Sequence, residues 1–276
     1  MSSVLFLSLA GSPGVTTTAL AMTMTWPQSA LLIEADTSHY SSILPGFLRA
    51  QVPHTRGIGE LSVLSSNSGG LDLNQIWGQT ISLVDDQPEG AAERRLVPGF
   101  KDPAAARAMD GFWAQLGSTV ASFEGMGMDV LVDAGRWIVG DRRQALLKLA
   151  DVVVIVARPT LSDVVATHVR LPSIREQLAA AGHEGSLALL VVEPASEPRL
   201  PSTEIRKALG LEPLGRIAWD EKTAPVFSAG ESAARRFEKT SLGRSIQPAI
   251  GAIRAQLDRQ RERLDENSST TTEISR

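Results

Sequence analysis

A glycine-rich loop after an apolar run is the segment best suited to bind an anion. The run is Val4–Leu9, and the loop reads Gly11-Ser12-Pro13-Gly14-Val15-Thr16-Thr17-Thr18. Backbone N–H groups at a helix N-terminus bind phosphate, and the pattern G-x-x-x-x-G-K-[ST] uses them in this way. Gly11 and Thr18 fit that pattern, while Thr16 and Thr17 replace its second Gly and its Lys. The loop therefore predicts phosphate binding, with a tight turn capped by threonine as the alternative.

The groups around the loop determine what such a site can do. The hydroxyl of Thr18 occupies the position that binds magnesium in this motif. The lysine that Thr17 replaces would neutralise phosphate charge. Arg136 and Arg158 each follow an apolar run, so both are expected at the carboxyl edge of a parallel sheet, where arginine can bind phosphate through two N–H groups. We predict that Arg136, or as second choice Arg158, supplies the missing charge, and the alternative is a surface ion pair.

Apolar runs that alternate with helix-like segments form the framework around these residues. The runs are continuous, which indicates strands covered on both faces. They are Val4–Leu9, Leu31–Ile33, Val130–Val132, Val152–Val156 and Leu187–Val192. The helix-like segments are Thr17–Met24, Ala104–Phe123, Arg142–Leu149, Leu161–Ala181 and Ser202–Leu209. This alternation predicts an α/β fold with a doubly wound, mostly parallel sheet and helices on both faces.

Two regions depart from the alternation. Residues 61–100 predict an excursion with a loop at Ser65–Gly70 and one short strand near Arg94–Val97. Near the C-terminus, apolar residues spaced by three and four predict one long helix over residues 240–264. The remaining residues, 265–276, lack apolar periodicity and predict a disordered polar tail. We therefore expect a single domain over residues 1–264.

The composition excludes several classes of protein. The chain has 276 residues, a net charge of −4 and no cysteine, which excludes a uniformly basic nucleic-acid coat, disulfides and thiolate zinc sites. Its four histidines lack metal-ligand spacing, and the G-x-S-x-G elbow of serine hydrolases is absent. No apolar run reaches the roughly 18 residues of a membrane helix. These features predict a cytoplasmic protein without membrane association.

Five segments, taken in their order along the chain, resemble the motifs of a known protein family. They are the loop 11–18, the strand end Glu34-Ala35-Asp36, the run 129–135 ending in Asp133, the strand end Ala157-Arg158-Pro159 and the segment Leu214–Asp220. In this order they resemble the ParA/MinD family of P-loop ATPases with a deviant Walker A motif. The resemblance is greatest to the divergent TadZ/CpaE-like branch of pilus-assembly and chromosome-partitioning proteins.

The resemblance implies ATP and Mg²⁺ as ligands. Residues 11–18 would bind the phosphates, Thr18 and Asp133 would hold Mg²⁺, and Asp36 would orient the attacking water. It also implies a homodimer and a protein partner from a partitioning or assembly system. The segment Glu231–Leu264 carries eight basic and four acidic residues. By resemblance it would bind DNA nonspecifically through phosphates, and the alternative is a solvated helix face.

Departures from the family pattern leave two functions open. Ser12 and Thr17 replace both lysines of the family's loop, Glu34 replaces its first Asp, and Glu193-Pro194 replaces an Asn-Arg pair beside the adenine. One function is a nucleotide-binding switch that positions DNA or a cellular machine, with weak or no ATP hydrolysis. The other is a non-hydrolysing pseudo-ATPase that acts as an adaptor or scaffold through protein contacts.

Overall fold

One eight-stranded sheet forms the centre of the molecule. The computed structural model describes residues 2–11, 13–85, 88–109, 111–194, 199–232 and 236–274. The strands are β1 (Ser3–Ser8), β2 (Ser29–Glu34), β3 (Ile81–Ser82), β4 (Arg94–Val97), β5 (Met128–Arg136), β6 (Val152–Ala157), β7 (Leu187–Glu193) and β8 (Pro213–Ala218). Their order is β3-β4-β2-β5-β1-β6-β7-β8, and only the β3–β4 pair is antiparallel. This confirms the predicted fold class.

Helices cover both faces of the sheet because its central strands are apolar on both sides. The helices are α1 (Val15–Thr25), α2 (Ile58–Ser68), α3 (Leu73–Gly78), α4 (Phe112–Ala121), α5 (Gln144–Leu149), α6 (Leu161–Ala180), α7 (Ser202–Leu209), α8 (Ala224–Ser228) and α9 (Ser241–Ile274). Leu5 and Leu7 of β1 face a core shared with α2 to α7. Val4 and Phe6 of the same strand face a second core shared with α1, α8 and α9.

The excursion between β2 and β5 contains more structure than predicted. The strand at Arg94–Val97 is present as β4, but the predicted loop at Ser65–Gly70 is wrong over its first four residues, because α2 continues to Ser68. The hydroxyls of Ser66 and Ser68 bond to carbonyl oxygens four residues earlier, so these serines are accommodated in the helix. The helix ends at Gly69, whose φ is 72°.

Other boundaries also differ from the prediction. The segment 104–123 is divided into a 3-10 turn, Pro103–Ala108, and α4, because Gly111 adopts a φ of 82° before the helix begins. The C-terminal helix α9 continues to Ile274, whereas a disordered tail was predicted from residue 265. Residues 265–274 contain neither Gly nor Pro, so the sequence has no signal that stops the helix there. No helix among the described residues is long and apolar enough to cross a membrane.

Candidate phosphate-binding site

The predicted loop connects β1 to α1 at the carboxyl edge of the sheet. Gly14 adopts a left-handed conformation with φ 86° and ψ 37°, which favours glycine, and α1 begins at the next residue. The N–H of Thr18 donates to the carbonyl oxygen of Gly14 at 2.9 Å, which closes the first helical turn. Pro13 is buried and contributes no N–H donor to the loop. Ser12 lies outside the described residues.

The three threonines at the start of α1 have different surroundings. Thr18 is 3% exposed, which places its hydroxyl in the interior beneath the loop. Thr16 and Thr17 are half-buried. The Thr16 hydroxyl lies close enough to Asp133 to lower the pKa of that carboxyl. Thr16 thus places a hydroxyl beside Asp133, where the phosphate-loop pattern has a glycine without a side chain.

Asp133 is a fully buried carboxyl with an oxygen that has no partner. It lies in β5 directly between Phe6 of β1 and Glu34 of β2. One oxygen, Oδ1, accepts from the N–H of Gly135 at 2.9 Å. No donor among the described residues forms a hydrogen bond with Oδ2. A cation, a proton or a water molecule would satisfy such an atom.

The electrostatic environment of Asp133 opposes its ionisation. Burial, and to a smaller extent the charges of Glu34 and Asp36, raise its pKa to about 7. The Thr16 hydroxyl and the Gly135 N–H act in the opposite direction, because they stabilise the carboxylate. A bound divalent cation would remove this penalty.

Glu34 holds the loop that follows β2. Its Oε1 accepts from the N–H groups of Ser42 at 2.6 Å and Ile43 at 3.3 Å and from the Ser42 hydroxyl at 3.2 Å. Its Oε2 accepts from the Ser41 hydroxyl at 2.5 Å and from the N–H of Gly99 at 3.0 Å. Five donors therefore occupy this buried carboxylate, and it ties residues 41–43 to the end of β4. The sequence analysis missed this role, although the serines seven and eight residues later are a signal for it.

Asp36 lies beside Asp133 across Gly135. Its Oδ1 accepts from the N–H of Ser38 at 2.8 Å and from the Ser38 hydroxyl at 2.5 Å. Gly135 has a φ of 54°, and a Cβ at this position would overlap the Asp36 carboxylate. Asp36, Glu34 and Thr16 line a cleft of about 230 Å³ next to the loop. The structure therefore brings these predicted residues together at one edge of the sheet.

The chain shares its overall fold with known ATPases. No protein-family model and no curated protein matches its sequence. MinD from Aquifex aeolicus superposes with a TM-score of 0.66 at 17% identity, over 92% of this chain and 97% of that one. A ParA family ATPase from Chlorobium tepidum gives 0.68 at 15%, over 91% and 98%. An ATP complex of McdA from Cyanothece gives 0.64 at 16%, over 91% and 96%. The chain has the ParA/MinD fold.

Within the ParA/MinD fold, the two candidate arginines differ in their contacts. Arg136 ends β5 and is exposed, and no described residue bonds to its guanidinium. Arg158 follows β6, and its guanidinium forms an ion pair with Asp163 next to Gly11. Asp163 was not predicted, although Thr160-x-x-Asp163 is a helix-start signal that points to it.

Arg143, which the sequence analysis missed, supports the loops at this edge of the sheet. Arg143 is 1% exposed and pairs with Asp141, with 2.6 Å between Nη2 and Oδ2. It also donates to the carbonyl oxygens of Ala35, Ala134 and Arg136. This single side chain therefore connects the ends of β2 and β5, which carry Asp36 and Asp133.

The position predicted to lie beside the adenine carries an ion pair. Glu193 ends β7, and its carboxylate accepts from the guanidinium of Arg216 on β8 and from that of Arg199 at 3.3 Å. Arg216 also donates to the Ser202 hydroxyl. Glu193 therefore joins β8 and the segment before α7 to the end of β7.

The residues present fit a magnesium ion. Thr18 and Asp133 offer a hydroxyl and a carboxylate oxygen, and Mg²⁺ prefers oxygen ligands. Among the described residues, no group of three or more His, Asp or Glu side chains forms a metal site. Mg²⁺ is commonly bound through one or two carboxylates together with water and substrate phosphates, so this donor set suffices.

Asp133→Asn tests the cost of the buried carboxyl in the metal-free, ligand-free protein. The folded-state pKa of Asp133 is about 7 and its ordinary value is 3.8, so the folded state binds the proton more tightly. The free energy of unfolding of the wild-type chain should therefore fall between pH 4 and pH 7. Relative to the wild type, Asp133→Asn should gain about 4 kcal/mol between pH 4 and pH 8. Urea unfolding in EDTA measures this difference, with Asp258→Asn as a surface control. A difference independent of pH would contradict it.

Glu34→Asp tests the anchor of the loop after β2. The side chain becomes one methylene shorter and cannot reach Gly99 and residues 41–43 together. We expect a loss of about 2 kcal/mol in the free energy of unfolding, since buried hydrogen-bonding groups are left unpaired. Faster amide exchange at Ser42, Ile43 and Gly99 should accompany it. The exposed Glu262→Asp is the matched control, and equal stability of the two variants would refute the anchoring role.

Proposed function

We propose that the chain is a ParA/MinD-like switch protein that binds ATP with Mg²⁺ in the cytoplasm and positions DNA or a cellular machine. The observation that carries this proposal is the unpartnered Oδ2 of the buried Asp133, beside the N-terminus of α1. A buried carboxylate next to an anion-binding helix N-terminus suits a ligand that combines phosphates with a divalent cation. The ATP complex of McdA on the same fold supports this ligand class.

The proposed roles follow the geometry of the site. Backbone N–H groups of residues 11–18 other than Pro13 would bind phosphate oxygens. Thr18 and Asp133 would hold Mg²⁺, which supplies charge neutralisation when bound. Asp36 lines the cleft beside the loop and would orient a water molecule there. Hydrolysis should be slow, because the lysine that Thr17 replaces belongs to a class of electrostatic contacts worth about 3 kcal/mol in the transition state.

The second candidate is a pseudo-ATPase adaptor. It is favoured by the absence of lysine from residues 1–100 and by the complete engagement of Glu34 with backbone and serine donors. An adaptor of this kind would keep the fold and use its surface for protein contacts. The buried Asp133 counts against the adaptor, because its Oδ2 has no donor among the described residues. Burying that charge destabilises a chain that binds no ligand at this site.

Titration calorimetry with ATP separates the two functions. We expect heat of binding to the wild-type chain only when Mg²⁺ is present, and at least a 10-fold loss of affinity in Asp133→Asn. Thr17→Lys should bind ATP more tightly than the wild type, because it restores a charge at the phosphates. Asp258→Asn on α9 serves as the control. The absence of heat from the wild-type chain at millimolar ATP and Mg²⁺ would reject the switch and leave the adaptor.

We further propose a homodimer through an apolar face near the loop. Leu161, Val165 and Val169 of α6 are 67%, 51% and 70% exposed, and their spacing by four places them on one side of the helix. Ile138 and Val139, in the turn after β5, are 57% and 75% exposed. They line one small cleft together with residues of α6 and the end of β1. Leu9, two residues before the loop, lines the same cleft, so a nucleotide bound at the loop would lie close to this face.

Light scattering coupled to gel filtration tests the dimer. With ATP and Mg²⁺ the chain should elute at twice the 29.5 kDa of one copy. Val165→Glu should remain monomeric because it buries a charge in the contact. Glu176→Gln, on the exposed surface of the same helix, should dimerise like the wild type. A mass of one chain under all conditions would refute self-association.

DNA binding is part of the proposal and depends on a different surface. Basic side chains of the C-terminal segment are exposed. They are Arg236, Lys239, Arg244, Arg254, Arg259, Arg261 and Arg263. Arg235 lies outside the described residues. Such a surface supports contacts with DNA phosphates without sequence preference. A partner protein from a partitioning or assembly system would distinguish the ATP-bound dimer from the monomer.

A further inference from the structure

The guanidinium of Arg158 lies against the phosphate loop. β6 ends at Ala157, and Arg158 is the next residue at the carboxyl edge of the sheet, beside the end of β1. A Cβ placed on Gly11 would lie 3.6 Å from Nη2 of Arg158. The loop therefore has a positive charge beside its first glycine, at the distance where it would touch a Cβ added there, and this charge is supplied from the end of another strand.

A buried acid fixes the orientation of this guanidinium. Nε of Arg158 donates to Oδ2 of Asp163 at 3.1 Å, and Nη2 donates to Oδ1 at 3.2 Å. The backbone N–H of Arg158 donates to the same Oδ2 at 3.2 Å. The Asp163 side chain is 5% exposed, whereas that of Arg158 is 27% exposed. The acid is thus sequestered from water while part of the guanidinium remains accessible.

Helix α6 holds this arginine–aspartate pair in place relative to the loop. Thr160 begins the helix, and its hydroxyl accepts from the N–H of Asp163 at 3.3 Å. Two turns further along, Arg170 donates to the carbonyl oxygen of Leu9, immediately before the loop. Two arginines therefore lie near the loop, Arg170 at Leu9 two residues before it and Arg158 beside Gly11.

We propose that Arg158 binds the phosphate chain of the ligand and supplies the charge that the absent loop lysines would provide. This inference rests on the proposed nucleotide binding. Asp163 partly offsets the charge of Arg158, but it also fixes the guanidinium in one orientation, so less side-chain entropy is lost when an anion binds. A phosphate oxygen over Gly11 would be closer to the guanidinium than to the buried Asp163.

The same geometry distinguishes between Arg136 and Arg158, the two arginines that the sequence analysis named as candidates for the phosphate contact. Arg136 was the first choice, yet its guanidinium bonds to no described residue that would orient it toward the loop. The guanidinium of Arg158 is oriented by two hydrogen bonds to Asp163 and lies beside Gly11. We therefore assign the phosphate contact to Arg158, and Arg136→Gln becomes its matched control.

Calorimetry with ATP and Mg²⁺ on a set of variants tests this assignment. Arg158→Gln should lower affinity by about 10-fold or more, since one charge-assisted contact is lost, while Arg136→Gln should stay within about 2-fold of the wild type. Thr17→Lys in the Arg158→Gln background should restore affinity, because the lysine supplies the charge from within the loop. If the role of Arg158 were purely structural, Thr17→Lys should raise affinity by the same factor in both backgrounds, whereas a shared role in charge predicts a larger gain in the Arg158→Gln background. Thermal melts establish that each variant is folded.

A measurement on the wild-type chain covers the case in which Arg158→Gln fails to fold. ATP with Mg²⁺ should protect Arg158, but not Arg136, from modification by phenylglyoxal, as read by peptide mass spectrometry. Equal affinity of Arg158→Gln and the wild type, or no protection of Arg158 in a chain that binds ATP, overturns this assignment and leaves the proposed function intact. A wild-type chain that binds no nucleotide overturns both.

Discussion

Four carboxylates lie along the carboxyl edge of the central strands, and the surrounding loops are arranged around their charges. Glu34, Asp36 and Asp133 lie on the neighbouring strands β2 and β5, and Asp163 lies at the start of α6. Buried charges are stable only when they are paired or fully hydrogen-bonded. The four differ in how far they meet this requirement, and the differences define which parts of the site are structural and which remain available to a ligand.

The carboxylates with a structural role are those whose oxygens accept hydrogen bonds from protein donors. Glu34 is satisfied by serine hydroxyls and backbone N–H groups, so it serves as an anchor for the loop after β2. Asp163 is satisfied by the arginine that it orients. Asp36 is satisfied on one oxygen by Ser38. Asp133 alone of these four has an oxygen that is buried and without a donor among the described residues. The sheet edge is therefore complete except at the point where α1 and β5 meet.

The sequence predicted the fold well because the central strands are long apolar runs, which specify a parallel sheet without further information. It predicted which residues gather at the site, since Asp36, Asp133 and the loop each follow such a run.

The sequence-based prediction failed where structure depends on contacts between distant segments. Glu34 was interpreted as a substitution for a family residue, but its role depends on Gly99, which is 65 positions away. Arg143 was missed for the same reason, because it donates to the carbonyl oxygen of Ala35, 108 positions away. Asp163 was missed although its partner Arg158 is only five residues away and a local helix-start signal points to it. In the excursion, the end of α2 was predicted as a loop because the segment is rich in serine. The serine hydroxyls instead form hydrogen bonds within the helix.

The charge balance at this edge links cation and anion binding. In the proposed complex, a phosphate chain at the loop would meet the positive end of α1 and the paired guanidinium of Arg158, but also the negative field of Glu34, Asp36 and Asp133. Because the loop has no lysine, the negative potential of these carboxylates at the loop is reduced mainly when the charge of Asp133 is neutralised. A divalent cation at Asp133 removes the like-charge repulsion and adds attraction for the phosphates, so each ligand should increase the affinity for the other by the same factor. A lysine in the loop would supply attraction without a metal. Under the proposed function, its absence would therefore make phosphate binding more dependent on magnesium than in a protein that retains both lysines.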